Sequence, residues 1–225
     1  MNIDSLYNVR LMNDLDIQEV KKIHEILFPV RYSNEVIKSF VKDQFVSILL
    51  TEKTENGCER IIGVSTTECS IDSICPLSIG CYLCTFGIHP DKQGTKLGTD
   101  LLRITTYVLY KRFGCKRLTL DVQVVNKVAN SFYEHFGFDF VQNKVGYYDF
   151  EGPDADSNFL EYTMNDESVS LNFSNHIEID DELKNYFKPL SHMNLLNLLI
   201  KKNQINICIA FGIGFSMVLF KIAFK

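Results

Sequence analysis

The chain has 225 residues, 46% hydrophobic and 23% charged, which suits one sizeable core and excludes wholesale disorder or a collagen-like repeat. Lys and Arg total 23 against 28 Asp and Glu, a net charge of -5, which argues against a nucleic-acid partner. Seven cysteines without framework spacing, behind an N-terminal stretch that carries Asp4 and Asp14 and no long apolar run, point to free thiols in a reducing cytosol.

In chain order, Asp16-x-x-Glu19 predicts a capping box opening a helix with Val20, Ile23 and Leu27 on one face, stopped by Phe28-Pro29. A second helix is predicted from Asn34, carrying Val36, Ile37, Phe40 and Val41. Residues 45–51 and 61–67 read as strands joined by a polar turn at Asn56-Gly57, a hairpin signal, and 81–88 as a third strand. A polar loop over 89–98 enters a helix over 99–113, with Leu101, Leu102, Thr105, Val108 and Leu109 on one side and Gly114 at its end. Leu118, Leu120, Val122 and Val124 alternate as a strand. Asn126 then caps a helix carrying Ala129, Phe132, Tyr133 and Phe136, closed by Gly137. A last strand lies near 159–163. The sum is an α+β domain over residues 1–164, a mixed and mostly antiparallel twisted sheet flanked by helices. Residues 165–188 read as an acidic, polar linker and 189–225 as an amphipathic and apolar tail.

Cys81-x-x-Cys84 has the spacing of a zinc pair. On a strand, however, residues three apart point to opposite faces, and no second Cys or His pair has ligand spacing, so no metal is assigned. A strand, a polar glycine-containing loop and a helix N-terminus in succession do make an anion cradle, from unpaired N–H groups and the positive dipole end. Here the cradle is Gln93, Gly94, Thr95, Lys96, Leu97 and Gly98, entering the helix at Thr99. It is not a P-loop, since G-x-x-x-x-G-K-[ST] is missing. Downstream, after a strand, Asn126 to Phe138 reads Asn-x-x-Ala-x-x-Phe-Tyr-x-x-x-Gly-Phe.

Further blocks are Phe28-Pro29-Val30-Arg31-Tyr32, Tyr82-Leu83-Cys84-Thr85-Phe86-Gly87, and Tyr147-Tyr148 followed by Gly152-Pro153-Asp154-Ala155-Asp156. With them, residues 7–164 resemble the GCN5-related N-acetyltransferases (GNAT), and more narrowly the catalytic subunits of NatE and NatF. The resemblance implies a GNAT-type fold, acetyl-CoA as co-substrate and a protein N-terminus as acceptor. It implies that Phe28, Pro29, Val30, Tyr32, Tyr147 and Tyr148 clasp the acceptor's first two residues, expected to be Met and an apolar residue. Tyr82 would position the attacking amine through water, and Tyr133 would sit near the coenzyme sulfur. The cradle and Asn126 would hold the coenzyme, while backbone N–H groups at Phe86, Gly87 and Ile88 would face the oxyanion.

Two positions depart from the family pattern. Lys96 replaces the first glycine of Gln/Arg-x-x-Gly-x-Gly, and Asp121 stands where NatE and NatF use a histidine base. Asp121 alternates with Leu120 and Val122, which is compatible with a proton acceptor and equally with a solvated carboxylate. Tyr133 also reads as a core filler and Asn126 as a simple N-cap. His24, His135, His176 and His192 are assigned only to surface or packing.

Residues 201–225 hold four lysines and no acid, and 205–224 is an apolar run of 20 residues interrupted only by Asn206, Ser216 and Lys221. As a helix rising ~1.5 Å per residue it would span ~30 Å, a hydrocarbon core. Upstream, Ser191, Asn194, Asn197 and Lys201 make a polar stripe against Met193, Leu195, Leu196, Leu198 and Leu199, an interfacial pattern. The expectation is that residues 190–225 attach a cytosol-facing enzyme to an organelle membrane of ER or Golgi type. A soluble cytoplasmic chain, with the tail packed on the domain or in a dimer seam, is the alternative. The rival activities are lysine side-chain acetylation and a coenzyme-binding scaffold.

Overall fold

Strand β2 (Phe45–Lys53) buries residues 46–51 without a break, so it has to be covered on both faces. It lies inside one eight-stranded sheet. In the computed structural model, which describes residues 6–54, 56–71, 79–148 and 155–191, the strands are β1 (Tyr7–Leu11), β2, β3 (Glu59–Ile71), β4 (Ile79–Ile88), β5 (Arg117–Gln123), β6 (Asp139–Lys144), β7 (Ser157–Thr163) and β8 (Ile177–Ile179). Their spatial order is β6-β7-β5-β4-β3-β2-β1-β8. The β4–β5 and β1–β8 pairs are parallel and the others antiparallel.

Helices α1 (Ile17–Leu27) and α2 (Asn34–Ser39) close one face through Val20, Ile23, Ile37 and Phe40 packed on Leu49 and Val64. Helices α3 (Leu97–Phe113), α4 (Lys127–Phe136) and α5 (Asp181–Tyr186) close the other, where Leu101, Leu102, Ile104 and Leu183 meet Ile48, Leu50 and Ile62. The predicted hairpin is present, with Gly57 at φ 74° in its turn, and its strands run longer than expected. The loop into α3 ends two residues earlier than predicted.

Three expectations are corrected. The capping box belongs to Asn13 and Asp16, not Asp16 and Glu19: the Asn13 side chain accepts from Leu15 N–H, and Asp16 accepts from Asn13 N–H. Asp16 is drawn there because both its oxygens also receive the Arg10 guanidinium at 2.7 Å, whereas Glu19 pairs with Lys22 at the surface. Residues 165–188 are not simply a linker. They supply β8 and α5, and Val169, Ile177, Ile179 and Leu183 are buried in the main core. The sheet also has three strands that the periodicity did not announce, β1 and the two edge strands β6 and β8. The apolar tail of the expected fold lies outside the described residues from 192 onward, and among the described residues no helix is long and apolar enough to cross a membrane.

One feature of the sheet creates a site. Strand β4 carries a bulge at Cys84, where Thr66 pairs with Thr85 but Thr67 with Leu83. Before the bulge β4 pairs with β5 through Gly80, Cys81 and Tyr82. After it the two strands part, since β5 stays paired with β7 along its whole length while β4 follows β3. A wedge opens between them.

Candidate active site

The wedge is the floor of a cleft of about 630 Å³ that runs from the N-terminus of α3 to the loops after α1 and β6. Backbone groups on β4 alternate between its two neighbours. His89 donates to Ile62 on the β3 side and Gln93 donates to the Ile88 carbonyl, so Phe86 and Ile88 turn their backbone groups into the wedge and Gly87 turns its own to β3. Gly87 serves the site sterically instead. A Cβ there would come within 3.0 Å of Leu27, so glycine lets α1 and its following loop close on the strand. Phe86 stacks on Phe132 of α4 at 5.7 Å, bridging the two walls.

At one end lies the cradle. Helix α3 starts at Lys96 with no side-chain cap, leaving the first N–H groups of the helix open. Gln93, Gly94, Lys96, Gly98 and Thr99 line the cleft. Thr95 and Leu97 do not: Thr95 is exposed and donates to the Lys92 carbonyl, while the Leu97 side chain is buried in the core. Lys96 sits at φ 67°, the left-handed conformation that a glycine would hold without strain. A phosphate-bearing ligand fits this end, because open N–H groups, a helix dipole and a lysine converge there. Asn126 does cap α4, accepting from Ala129 N–H at 3.0 Å, and its residue also lines the cleft. Lys92, Cys84, Val128 and Ala129 line it too and were not foreseen from the sequence; only their place at the wedge marks them.

At the other end an aromatic box forms. Pro29 stops α1, and Phe28, Pro29, Val30 and Tyr32 line the cleft. Buried His24 fixes this loop from below, its ring 5.1 Å from Phe28, 5.6 Å from Tyr32 and 5.8 Å from Phe40. The His24 ring nitrogens meet the Val20 carbonyl at 2.8 Å and the Thr85 hydroxyl at 3.3 Å, so histidine packing is its role here, and burial lowers its pKa to about 4. Tyr147 and Tyr148 face the box with perpendicular rings 4.9 Å apart. Their loop is closed by Asp156, which accepts from Gly146 N–H, and by Tyr148 N–H donating to Ala155. Residues 152–154 of that block lie outside the described residues. Burial raises the phenol pKa of Tyr32 and of Tyr147 to about 12.

Between the two ends the polar groups converge on Asp121. Its side chain is 2% exposed, which removes the solvated-carboxylate alternative. Oδ2 accepts from Tyr82 Oη at 3.1 Å and from Lys144 Nζ at 2.9 Å, and Oδ1 accepts from Ser157 Oγ at 2.8 Å. Tyr82 Oη also lies 3.0 Å from Tyr147 Oη. Burial first, then the neighbouring Tyr147 and Asp121, hold the Tyr82 phenol well above its usual range. Asp121 lines the cleft, and its buried carboxylate is bonded there to Tyr82. Tyr133, buried among Phe86, Phe132 and Phe138, lines the cleft as well, and burial raises its pKa above the ordinary tyrosine value. Cys81 and Cys84 diverge, Cys81 lying in the core 3.2 Å from the Cys69 sulfur and Cys84 at the cleft.

Known proteins share this architecture. N-alpha-acetyltransferase 50 of Danio rerio is 24% identical over 149 residues, 66% of this chain and 83% of that protein. The probable N-acetyltransferase san of Drosophila melanogaster is 27% identical over 150 residues, 66% of this chain and 76% of that protein. The crystal structure of Arabidopsis thaliana NAA60 in complex with a bisubstrate analogue superposes with a TM-score of 0.64 at 22% identity, covering 71% of this chain and 99% of that one. Residues 47–138, from β2 through the end of α4, match the acetyltransferase (GNAT) family.

Proposed function

We propose that the protein transfers acetyl from acetyl-CoA to the free α-amino group of protein N-termini, by direct attack without a covalent enzyme intermediate. The observation that carries this reading is the continuity of one cleft from an anion cradle to an aromatic box, with a polar cluster at the junction. A coenzyme entering from the cradle and a short chain end entering from the box would meet at the wedge. The relatives named above are N-acetyltransferases, which supports the same assignment.

The chemistry asks little of the protein. An α-ammonium group has a pKa of about 7.7–8, so a sizeable fraction is neutral at physiological pH. Holding it against the thioester supplies the orientation. As nitrogen bonds to the acetyl carbon, its proton passes to the Tyr82 oxygen, directly or through one water, while the Tyr82 proton passes to Asp121 Oδ2. Backbone N–H groups of Phe86 and Ile88 face the developing oxyanion. Collapse breaks the carbon–sulfur bond and Tyr133 gives its proton to the departing thiolate; Asp121 then releases its proton through Tyr82 to water, and the Tyr133 oxygen takes one back.

The box built from Phe28, Pro29, Val30, Tyr32, Tyr147 and Tyr148 favours Met followed by an apolar residue, because a charge buried there would lack a partner. The sequence of residues 190–225 supports attachment to a membrane, with the catalytic domain facing the cytosol. Acetyl transfer to a panel of N-terminal peptides, run beside the same peptides with blocked termini and free lysines, tests the reading. Transfer to free termini alone is expected. Transfer only to blocked, lysine-bearing peptides would assign side-chain acetylation instead, and coenzyme binding without transfer would assign a scaffold.

A further inference from the structure

We propose that Lys144, from the outermost strand β6, is a positioning residue that holds Asp121 in register with Tyr82, an inference that rests on the acetyl-transfer reading above. Strand β6 contributes nothing to the core: residues 139–143 are exposed and Lys144 alone is half-buried. What the strand does is deliver one ammonium group. Lys144 Nζ lies 2.9 Å from Asp121 Oδ2, with the centres of the Phe159 and Tyr147 rings 4.0 Å and 5.0 Å away. These aromatic faces fix the ammonium as well as covering it.

The position matters because Oδ2 is the same oxygen that accepts from Tyr82. Ser157 from β7 holds the other oxygen, so the carboxylate plane is pinned from two strands. Oδ2 has a lone pair for each donor, so Lys144 holds the oxygen in line while the Tyr82 proton arrives. Lys144 therefore sets the aim of the carboxylate. The groups that face Asp121 are Tyr82 on β4, Lys144 on β6, Ser157 on β7, and Tyr147 and Tyr148, with Cys84 further along β4. Farther along the same face, Glu161 is paired with Arg117 at 3.1 Å, so Lys144 supplies the cation nearest the carboxylate.

Removing the ammonium leaves Oδ2 free to turn away from Tyr82. Lys144→Met in the full chain should therefore lower kcat/KM for a peptide about 10-fold, part of the ~10²–10⁴ that a proton acceptor contributes. The loss should fall on kcat, with KM for the peptide and for acetyl-CoA unchanged. Lys144→Arg should restore most of the rate. If Lys144→Met fails to fold with Asp121 left unpaired, the double variant Asp121→Asn, Lys144→Met removes that problem, and it should be no slower than Asp121→Asn alone. A wild-type rate in Lys144→Met, a loss that falls on KM rather than on kcat, or a further loss on adding Lys144→Met to Asp121→Asn would each overturn the proposal while leaving acetyl transfer intact. Failure of the unaltered chain to acetylate any free N-terminus would overturn both.

Discussion

In the proposed reaction Tyr82 and Asp121 share one task, the removal of the amine proton. A carboxylate with 2% exposure offers an incoming amine little surface, and the phenol hydrogen-bonded to it at 3.1 Å can pass a proton on. Asp121→Asn keeps the shape and removes the acceptor, so kcat should fall by ~10²–10⁴ with coenzyme affinity held. A wild-type turnover number in steady-state assays would assign the whole role to Tyr82 and water. At the other end of the cleft, Lys96 occupies φ 67°, and among the described residues it is the non-glycine with positive φ. Release of roughly 1–2 kcal/mol of left-handed strain outweighs the roughly 0.5–1 kcal/mol that glycine's freer unfolded chain costs. Lys96→Gly should then raise Tm by about 2 °C in a thermal melt. A fall would show that the lysine side chain itself holds the turn.

Among the elements, α1 and its following loop behave as one unit because His24 sits under the aromatic box. The imidazole is neutral when buried, with a pKa of about 4 against 6.5 in an unfolded chain. Between those values the unfolded state binds the extra proton, so stability rises with pH; the contribution is complete above 6.5 and is lost as pH falls towards 4. The full loss is about 3 kcal/mol, at ~1.4 kcal/mol per pKa unit. Denaturant melts should show this slope in the native sequence and a flatter one in His24→Phe. The loop fed by His24 should loosen first, so KM for the peptide should rise on acidification before coenzyme binding weakens. A second element carries a simpler test. Leu183 of α5 is fully buried, and Leu183→Ala should cost about 2–5 kcal/mol in the same melts. No measurable loss would mean that α5 is only loosely docked.

For the whole molecule, the boundary of the catalytic unit has moved. β8 lengthens the sheet beside β1, and the chain is still tied down at Leu190, which donates to the Arg112 carbonyl, while Arg112 lies 3.6 Å over the Tyr186 ring. A chain ending at Ser191 should fold and acetylate peptides as the full chain does, whereas one ending at Met164 should aggregate, because it uncovers Val9 and the core under Leu183. Light scattering and peptide acetylation on the two chains decide between these limits. The full chain should sediment with membranes, and the chain ending at Ser191 should stay in the supernatant. Equal partition of both would remove the tail from the membrane reading.

Strong amphipathic periodicity made α1, α3, α4, β4 and β5 legible from the residues themselves, because each buries one face and the period fixes which. The site residues were legible as blocks, Phe28 to Tyr32, Tyr82 to Gly87 and Tyr147-Tyr148, since turn and aromatic chemistry is local. Edge strands were not. β6 is exposed along its length and so carries no alternation, and β8 has three residues, too few for a period. Their existence depends on partners far away in sequence. The same holds for the chemistry at the junction. Asp121, Tyr82, Lys144 and Ser157 lie on four strands and are joined only when β7 inserts between β5 and β6. Whether a lone carboxylate on an alternating strand meets water or three donors is decided by what the sheet places opposite it. The sequence determined which elements form and which residue types stand ready, and the pairing of distant strands decided that Asp121 would be buried and bonded to Tyr82 at the cleft.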